Sequence, residues 1–85
     1  MAGLPQLREA AWLYGPGDPW APLALVRLFE HRDGGGWEIR LNDPAAAETQ
    51  TALHPDEASA RAELARLYAL GEADGRWRVR QPDGY

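Results

Sequence analysis

The sequence predicts an α+β fold: a small antiparallel sheet of three to five strands, with one main helix packed on one face, in the order β-β-β-(β)-α-β. Three observations predict it. Residues 54–71 carry signals for both ends of a helix, several other segments alternate apolar and polar residues, and Asp33 and the three glycines after it form a hairpin turn signal. At 85 residues the chain makes one domain, 1–85, and we expect residues 1–9 and 82–85 to be loose termini.

The helix over residues 54–71 is the best-marked element. Pro55 suits the first helical position, where its missing N–H has no partner, and Asp56 and Glu57 place negative charge at the positive end of the helix dipole. Glu57 and Arg61 are four residues apart in the stabilising order. Gly71 is expected to end the helix in the left-handed conformation.

The remaining elements are predicted as strands and loops. Strands are expected at 10–14, 23–31, 37–41, 49–53 and 76–81, and a rigid loop is expected at 15–22, where three prolines and two glycines occur. The strands at 23–31 and 37–41 form a hairpin closed by the glycine-rich turn.

Alternation along the strands assigns their faces, because successive side chains point to opposite sides of a sheet. The helix is expected to cover one face with Leu64, Leu67 and Tyr68. That face carries these strand residues: Trp37, Ile39, Trp77 and Val79. The residues Arg76, Arg78 and Arg80 then lie on the opposite face.

The strand at 23–31 is apolar on both sides, with Leu25 and Phe29 on one and Val26 and Leu28 on the other. One helix covers only one side. A second cover is therefore needed, either the N-terminal segment with Trp12 and Trp20 or a second copy of the chain, and of these two we expect the second copy, in a homodimer.

Composition excludes several classes of function. With no cysteine there is no disulfide, thiolate nucleophile or Cys-ligated metal, and with no lysine there is no Schiff base or phosphate-loop lysine. We expect no cofactor and no bound metal. The net charge of −4 argues against indiscriminate binding to DNA or to anionic membranes. No apolar run approaches a membrane span and no signal peptide is recognised, so the expected location is the cytoplasm.

Catalytic and metal-binding candidates are sparse. Ser59, the only serine, lies inside the predicted helix with no histidine placed to activate it. Metal ligands would have to come from His31 with Asp33, or from His54 with Asp56 and Glu57, and both clusters are small. Paired carboxylates such as Glu30 and Glu38 carry no specific signal. We therefore expect a protein that is not an enzyme.

The binding candidates are arginines and one tryptophan. If Arg27 and Arg40 join the three arginines of the last strand, five guanidinium groups form one surface suited to carboxylate or phosphate. A solvated outer face balanced by acidic residues is the competing interpretation. The full set of binding candidates is Trp20, Arg27, Arg40, Arg76, Arg78 and Arg80.

We expect a small interaction module that binds a partner protein, as a regulator or inhibitor. The alternative is a nucleic-acid-binding domain that uses the Arg face. The order of elements from 23 to 71, a hairpin followed by a helix, resembles small sheet-and-helix DNA-binding domains of some phage integrases, which implies the alternative, whereas the acidic net charge opposes it.

Overall fold

The computed structural model describes residues 4–32, 34–43 and 49–80, and for residues 18–21, 79 and 80 it describes the backbone alone. The described elements are β1 (Gln6–Gly15), β2 (Asp18–His31), β3 (Gly36–Asn42), β4 (Gln50–His54), α1 (Glu57–Glu72) and β5 (Arg76–Arg80). The five strands form one antiparallel sheet in the order β4-β3-β2-β1-β5. The predicted α+β class is confirmed. No described helix is long and apolar enough to cross a membrane.

The position of α1 follows from this strand order. The first four strands run as a meander that ends at one edge, on β4, whereas β5 lies at the other edge, beside β1. The helix between them must cross the sheet, and it contacts β3, β4 and β5 on the way. One face of the sheet is therefore covered by α1.

The start of α1 differs slightly from the prediction. Asp56 is the N-cap, and its carboxylate accepts a hydrogen bond of 2.8 Å from the backbone N–H of Ser59. The helix therefore begins at Glu57, and Pro55 precedes the cap instead of occupying the first helical position. The Asp56 side chain satisfies an N–H that would otherwise lack an acceptor, which makes it the stronger start signal.

The predicted left-handed ending at Gly71 is wrong. The helix continues through Gly71 to Glu72, and the C-cap Ala73 has ordinary right-handed angles, φ −66° and ψ −27°. The glycine is needed for space, because a Cβ on Gly71 would lie 2.6 Å from the Trp77 ring. The Trp77 indole N–H donates to the Tyr68 carbonyl at 3.0 Å, which holds the ring against the helix.

The N-terminal region is more regular than predicted. The arm expected at 1–9 is partly strand, because β1 begins at Gln6, and the loop expected at 15–22 shrinks to a turn at Pro16 and Gly17. β2 tolerates Pro22 because the pairing with β3 ends at Leu25, so this part of β2 has only β1 beside it. The predicted loose end at 82–85 lies outside the described residues.

The core lies between the sheet and α1. Its buried apolar residues are Ala11, Leu13, Val26, Leu28, Ile39, Ala60 and Leu64. Leu67, Tyr68, Trp37 and Trp77 are partly buried against this cluster, as predicted. The helix is thus oriented as expected, with Leu64 inward.

We expect Leu64→Ala to lower the free energy of unfolding by about 2 to 5 kcal/mol, because Leu64 is only 3% exposed in the core. Leu70→Ala is the matched control: Leu70 lies on the same helix but is 58% exposed, so its truncation is expected to cost less than about 1 kcal/mol. Urea unfolding followed by circular dichroism measures both variants. Equal losses for the two would contradict this orientation of α1.

Gly71→Ala tests the contact between α1 and β5. Alanine is favoured over glycine in a helix by about 1 kcal/mol, but its methyl group would displace the Trp77 ring. We expect net destabilisation of about 1 to 3 kcal/mol. Gly17→Ala is the control, since a Cβ there meets no atom within 4 Å. An increase in thermal stability for Gly71→Ala would show that the ring does not pack there.

Candidate binding surface

The sheet face opposite α1 is the candidate site, and we call it the open face. Strand pairing assigns these residues to it: Ala10, Trp12, Tyr14, Leu25, Arg27, Phe29, His31, Glu38, Arg40, Asn42, Thr51, Leu53, Arg76 and Arg78. Because α1 is the only described helix and packs on the other side, no described helix covers this surface. Leu53 is 66% exposed on it, whereas Trp12 and Leu25, which are cross-strand neighbours, are partly buried.

The pairing brings the predicted arginines onto this face. Arg27 lies directly opposite Arg40, while Arg78 is opposite Trp12 and Arg76 is opposite Tyr14. The backbone of Arg80 is opposite Ala10, which is itself opposite Arg27, so Arg80 is in register with the Arg27–Arg40 pair. The side chain of Arg80 lies outside the described residues. The side chain of Trp20 also lies outside them, so its role stays a prediction.

Aromatic rings support three of these guanidinium groups. The Arg40 and Arg27 guanidinium carbons lie 4.4 and 5.7 Å from the centroid of the same Phe29 ring, and that of Arg78 lies 4.7 Å from the Tyr14 centroid. Such stacking holds the guanidinium group in place, and its N–H groups, which lie in the plane of the group, stay available to an acceptor at its edge. These contacts are not predicted above from the sequence. The two-residue spacing of Arg27 and Phe29 on one strand was the available signal.

Glu38 is the acidic residue at the centre of this surface. It is only 7% exposed, and its two carboxylate oxygens are bonded separately, one by Arg40 Nε and the other by His31 Nε2 at 2.6 Å. The Arg40 guanidinium holds the pKa of Glu38 below its ordinary value of 4.5; burial opposes this and His31 reinforces it. Glu38 is therefore a charged, fully engaged counter-ion.

The structure does not bring the described catalytic and metal-binding candidates of the sequence together into one site. Glu30 lies opposite Trp37 on the helix side of the sheet and bonds Arg8 at 2.9 Å, so it does not face Glu38. The carboxylate of Asp56 caps the helix at Ser59, while Asp33 lies outside the described residues. Among the residues that are described, no group of three or more His, Asp or Glu side chains is placed to hold a metal ion.

The arginines divide by location. Within the described part of the chain, four pair with carboxylates: Arg8 with Glu30, Arg40 with Glu38, Arg61 with Glu57 and Glu9, and Arg66 with Glu63. Arg32 donates to the Gln6 side chain. The described arginines that form neither a side-chain hydrogen bond nor an ion pair with a described residue are Arg27, Arg76 and Arg78, and all three lie on the open face.

Arg27 stands out among these three. Its Nε is buried and has no acceptor among the described residues, although the side chain as a whole is only partly buried. Buried N–H groups are normally paired, because an unpaired one has lost its water without replacement. Arg27 and Arg40 also place like charges at directly opposed strand positions, which is unfavourable unless both guanidinium groups interact with one anion.

A concavity of about 450 Å³ adjoins the open face at its β5 end. It lies between the turn after β1 and the turn before β5, and Tyr14, Arg76, Arg78 and Asp74 contribute to its lining. Its charged groups are of both signs, and no serine, threonine or histidine lines it. It extends the arginine surface around the sheet edge.

Comparisons with known proteins add no relative. No family model, no curated protein and no solved structure matches this chain.

Acid titration tests the engagement of Glu38. A carboxylate whose pKa is lower in the folded state stabilises the fold above its unfolded pKa, and this contribution is lost as the pH falls through the folded pKa. We expect Glu38→Gln to be less stable than wild type by about 1 to 3 kcal/mol at pH 7, with the difference shrinking below about pH 4.5. Urea unfolding of both proteins between pH 7 and 3 measures it.

Asp56 and Glu63, whose pKa values are also lowered in the fold, are present in both proteins, so their effects cancel in the comparison. A difference in stability that stays constant across this pH range would show that the Glu38 carboxylate is not held in its charged form.

Proposed function

We propose that this protein is a non-enzymatic interaction module, acting as a regulator or inhibitor, whose open face binds a partner protein. The observation that carries the proposal is the location of the unpaired arginines: the described guanidinium groups that form neither a hydrogen bond nor an ion pair with a described residue all lie on the one sheet face that α1 leaves uncovered. Arginine and tryptophan are the residues enriched at the energetic centres of protein interfaces, and Trp12 lies among these arginines. We keep the predicted cytoplasmic location as part of the proposal.

The charge of the open face defines the kind of partner. Four described arginine side chains lie on it against one carboxylate, that of Glu38. A second copy docked by the same face around a two-fold axis would bring arginines against arginines, which is unfavourable. We therefore propose a different protein, one that presents Asp or Glu side chains, and the homodimer expected from the sequence becomes an outcome of the test.

Binding of single-stranded nucleic acid is the second candidate, because arginine and aromatic side chains share a sheet face, as they do on nucleic-acid-binding sheets. Two features favour a protein partner instead. The rings of Phe29 and Tyr14 already stack with guanidinium groups, which leaves less ring surface for bases, and the whole chain carries a net charge of −4.

Charge-reversal variants test the surface. We expect tagged wild-type protein to capture a partner from lysate of the source cells, and Arg76→Glu with Arg78→Glu to weaken that capture at least about tenfold. The matched control is Arg61→Glu with Arg66→Glu, which makes the same charge change on exposed positions of α1 and is expected to keep the partner. Circular dichroism confirms that each variant is folded.

Capture counts for the proposal only when the open-face variant loses the partner and the helix variant keeps it, and when nuclease treatment of the lysate leaves capture intact. Equal loss in both variants, or loss on nuclease treatment, contradicts it. Light scattering of the pure protein gives the oligomeric state, and a mass of twice 9.4 kDa that reverts to 9.4 kDa in the open-face variant would favour the homodimer over a different partner.

A further inference from the structure

Two guanidinium groups and one aromatic ring form a compact cluster at the centre of the open face. Arg27 on β2 and Arg40 on β3 are directly opposed across the strand pair, and both stack on Phe29. Opposed like charges in a sheet repel, so such a pair needs negative charge nearby. We call these three residues, together with Glu38, the Phe29 cluster.

The negative charge that the described residues supply to this pair is insufficient. Glu38 carries one charge against two guanidinium groups, and its two oxygens are already used by Arg40 and His31. With histidine neutral, the cluster keeps a net charge of +1. No carboxylate among the described residues bonds Arg27, and its buried Nε has no acceptor there.

We propose that the Phe29 cluster is a carboxylate-binding site, in which Arg27, with Arg40 beside it, receives one Asp or Glu side chain of the partner. This rests on the proposed function and names the chemistry at its centre. A carboxylate matches the planar fork of a guanidinium group through two parallel hydrogen bonds. Its single charge also neutralises the cluster, whereas a phosphate monoester brings about −1.5 to −2 and would leave the site negative.

The surroundings of the cluster favour a carboxylate carried on a protein. Leu25 is the next residue on the same face of β2 as Arg27, two positions along the strand, and Trp12 on β1 lies directly opposite Leu25. Leu53, on the same face of the neighbouring strand β4, lies directly opposite Glu38 and is exposed. An acidic side chain at the cluster is therefore flanked by apolar surface, as in interfaces where apolar contacts surround a charged anchor and exclude water.

Arginine side-chain NMR gives a direct test with a capped pentaglutamate peptide as the probe. On titration, we expect the Arg27 Nε–Hε signal to shift and saturate. The Arg66 Nε–Hε signal should stay in place, because Arg66 already donates to both oxygens of Glu63 at 2.8 Å. Arg27→Gln should weaken peptide binding about tenfold, while Arg66→Gln leaves it unchanged.

Arg27→Lys keeps the charge without the planar fork, and we expect it to bind more weakly than wild type and more tightly than Arg27→Gln. Backbone amide spectra confirm that each variant is folded. The inference is overturned if Arg27 does not respond to the peptide, if Arg27→Gln binds as well as wild type, or if inorganic phosphate or an oligothymidylate binds more tightly than the peptide.

The partner-capture experiment separates this inference from the proposed function. If Arg27→Gln keeps the captured partner while the Arg76→Glu and Arg78→Glu double variant loses it, the open face binds a partner but not through this cluster, and the inference fails alone. If both variants keep the partner, the proposed function fails as well. Loss of the partner in both, with retention in the helix control, supports the two together.

Discussion

The coverage that one helix gives to a five-stranded sheet is the constraint on which the rest of the structure depends. The 16 residues of α1 span roughly 24 Å, enough to cross five strands spaced about 4.8 Å apart, but the helix is only about 10 Å wide. It covers a stripe of one face. The sequence places its fully buried residues, including Val26 and Leu28, beneath that stripe.

On the open face, apolar side chains that no described helix covers are shielded by neighbouring side chains. Phe29 is only partly buried, and the guanidinium groups of Arg27 and Arg40 lie over its ring. Long cationic side chains commonly cover apolar surface in this way while their charged ends stay in water. These arginines therefore have a role in the isolated protein, which is to shield the ring, and the same placement gathers their charge at one point.

Much of the fold is predictable from the sequence, because local signals and side-chain alternation are enough to locate the helix, the hairpin and the faces of the strands. The helix, the β2–β3 hairpin and the shared face of Trp37 and Ile39 depend on neighbours in the chain. Alternation along β5 likewise predicts that Arg76, Arg78 and Arg80 share one face. Neither requires knowledge of which strands are adjacent.

The errors concern contacts between distant segments. The sequence predicts a loose arm at Glu9, yet the Glu9 carboxylate accepts from the Tyr68 hydroxyl and pairs with Arg61, residues more than 50 positions away. Burial in this contact, with the Glu9 hydrogen bond, raises the pKa of the Tyr68 hydroxyl. Gly71 is a similar case, because the reason for a glycine there is the ring of Trp77 from the far edge strand.

The candidate site shows the same division. The sequence leaves open whether Arg27 and Arg40 join the arginines of β5. Only the β2–β3 register makes them directly opposed, and only the three-dimensional pairing shows which of them has a carboxylate. On the helix side, arginines such as Arg61 and Arg66 lie three or four residues from a glutamate, so local spacing supplies the counter-ion. On a strand, Glu38 and Arg40 have the equivalent two-residue spacing, whereas the nearest same-face neighbours of Arg27 along β2 are Leu25 and Phe29. Arg27 thus has no carboxylate beside it along its own strand, and its described cross-strand neighbours, Ala10 and Arg40, supply none. A surface whose central cation is left unpaired by its own strand is suited to an acid from another molecule.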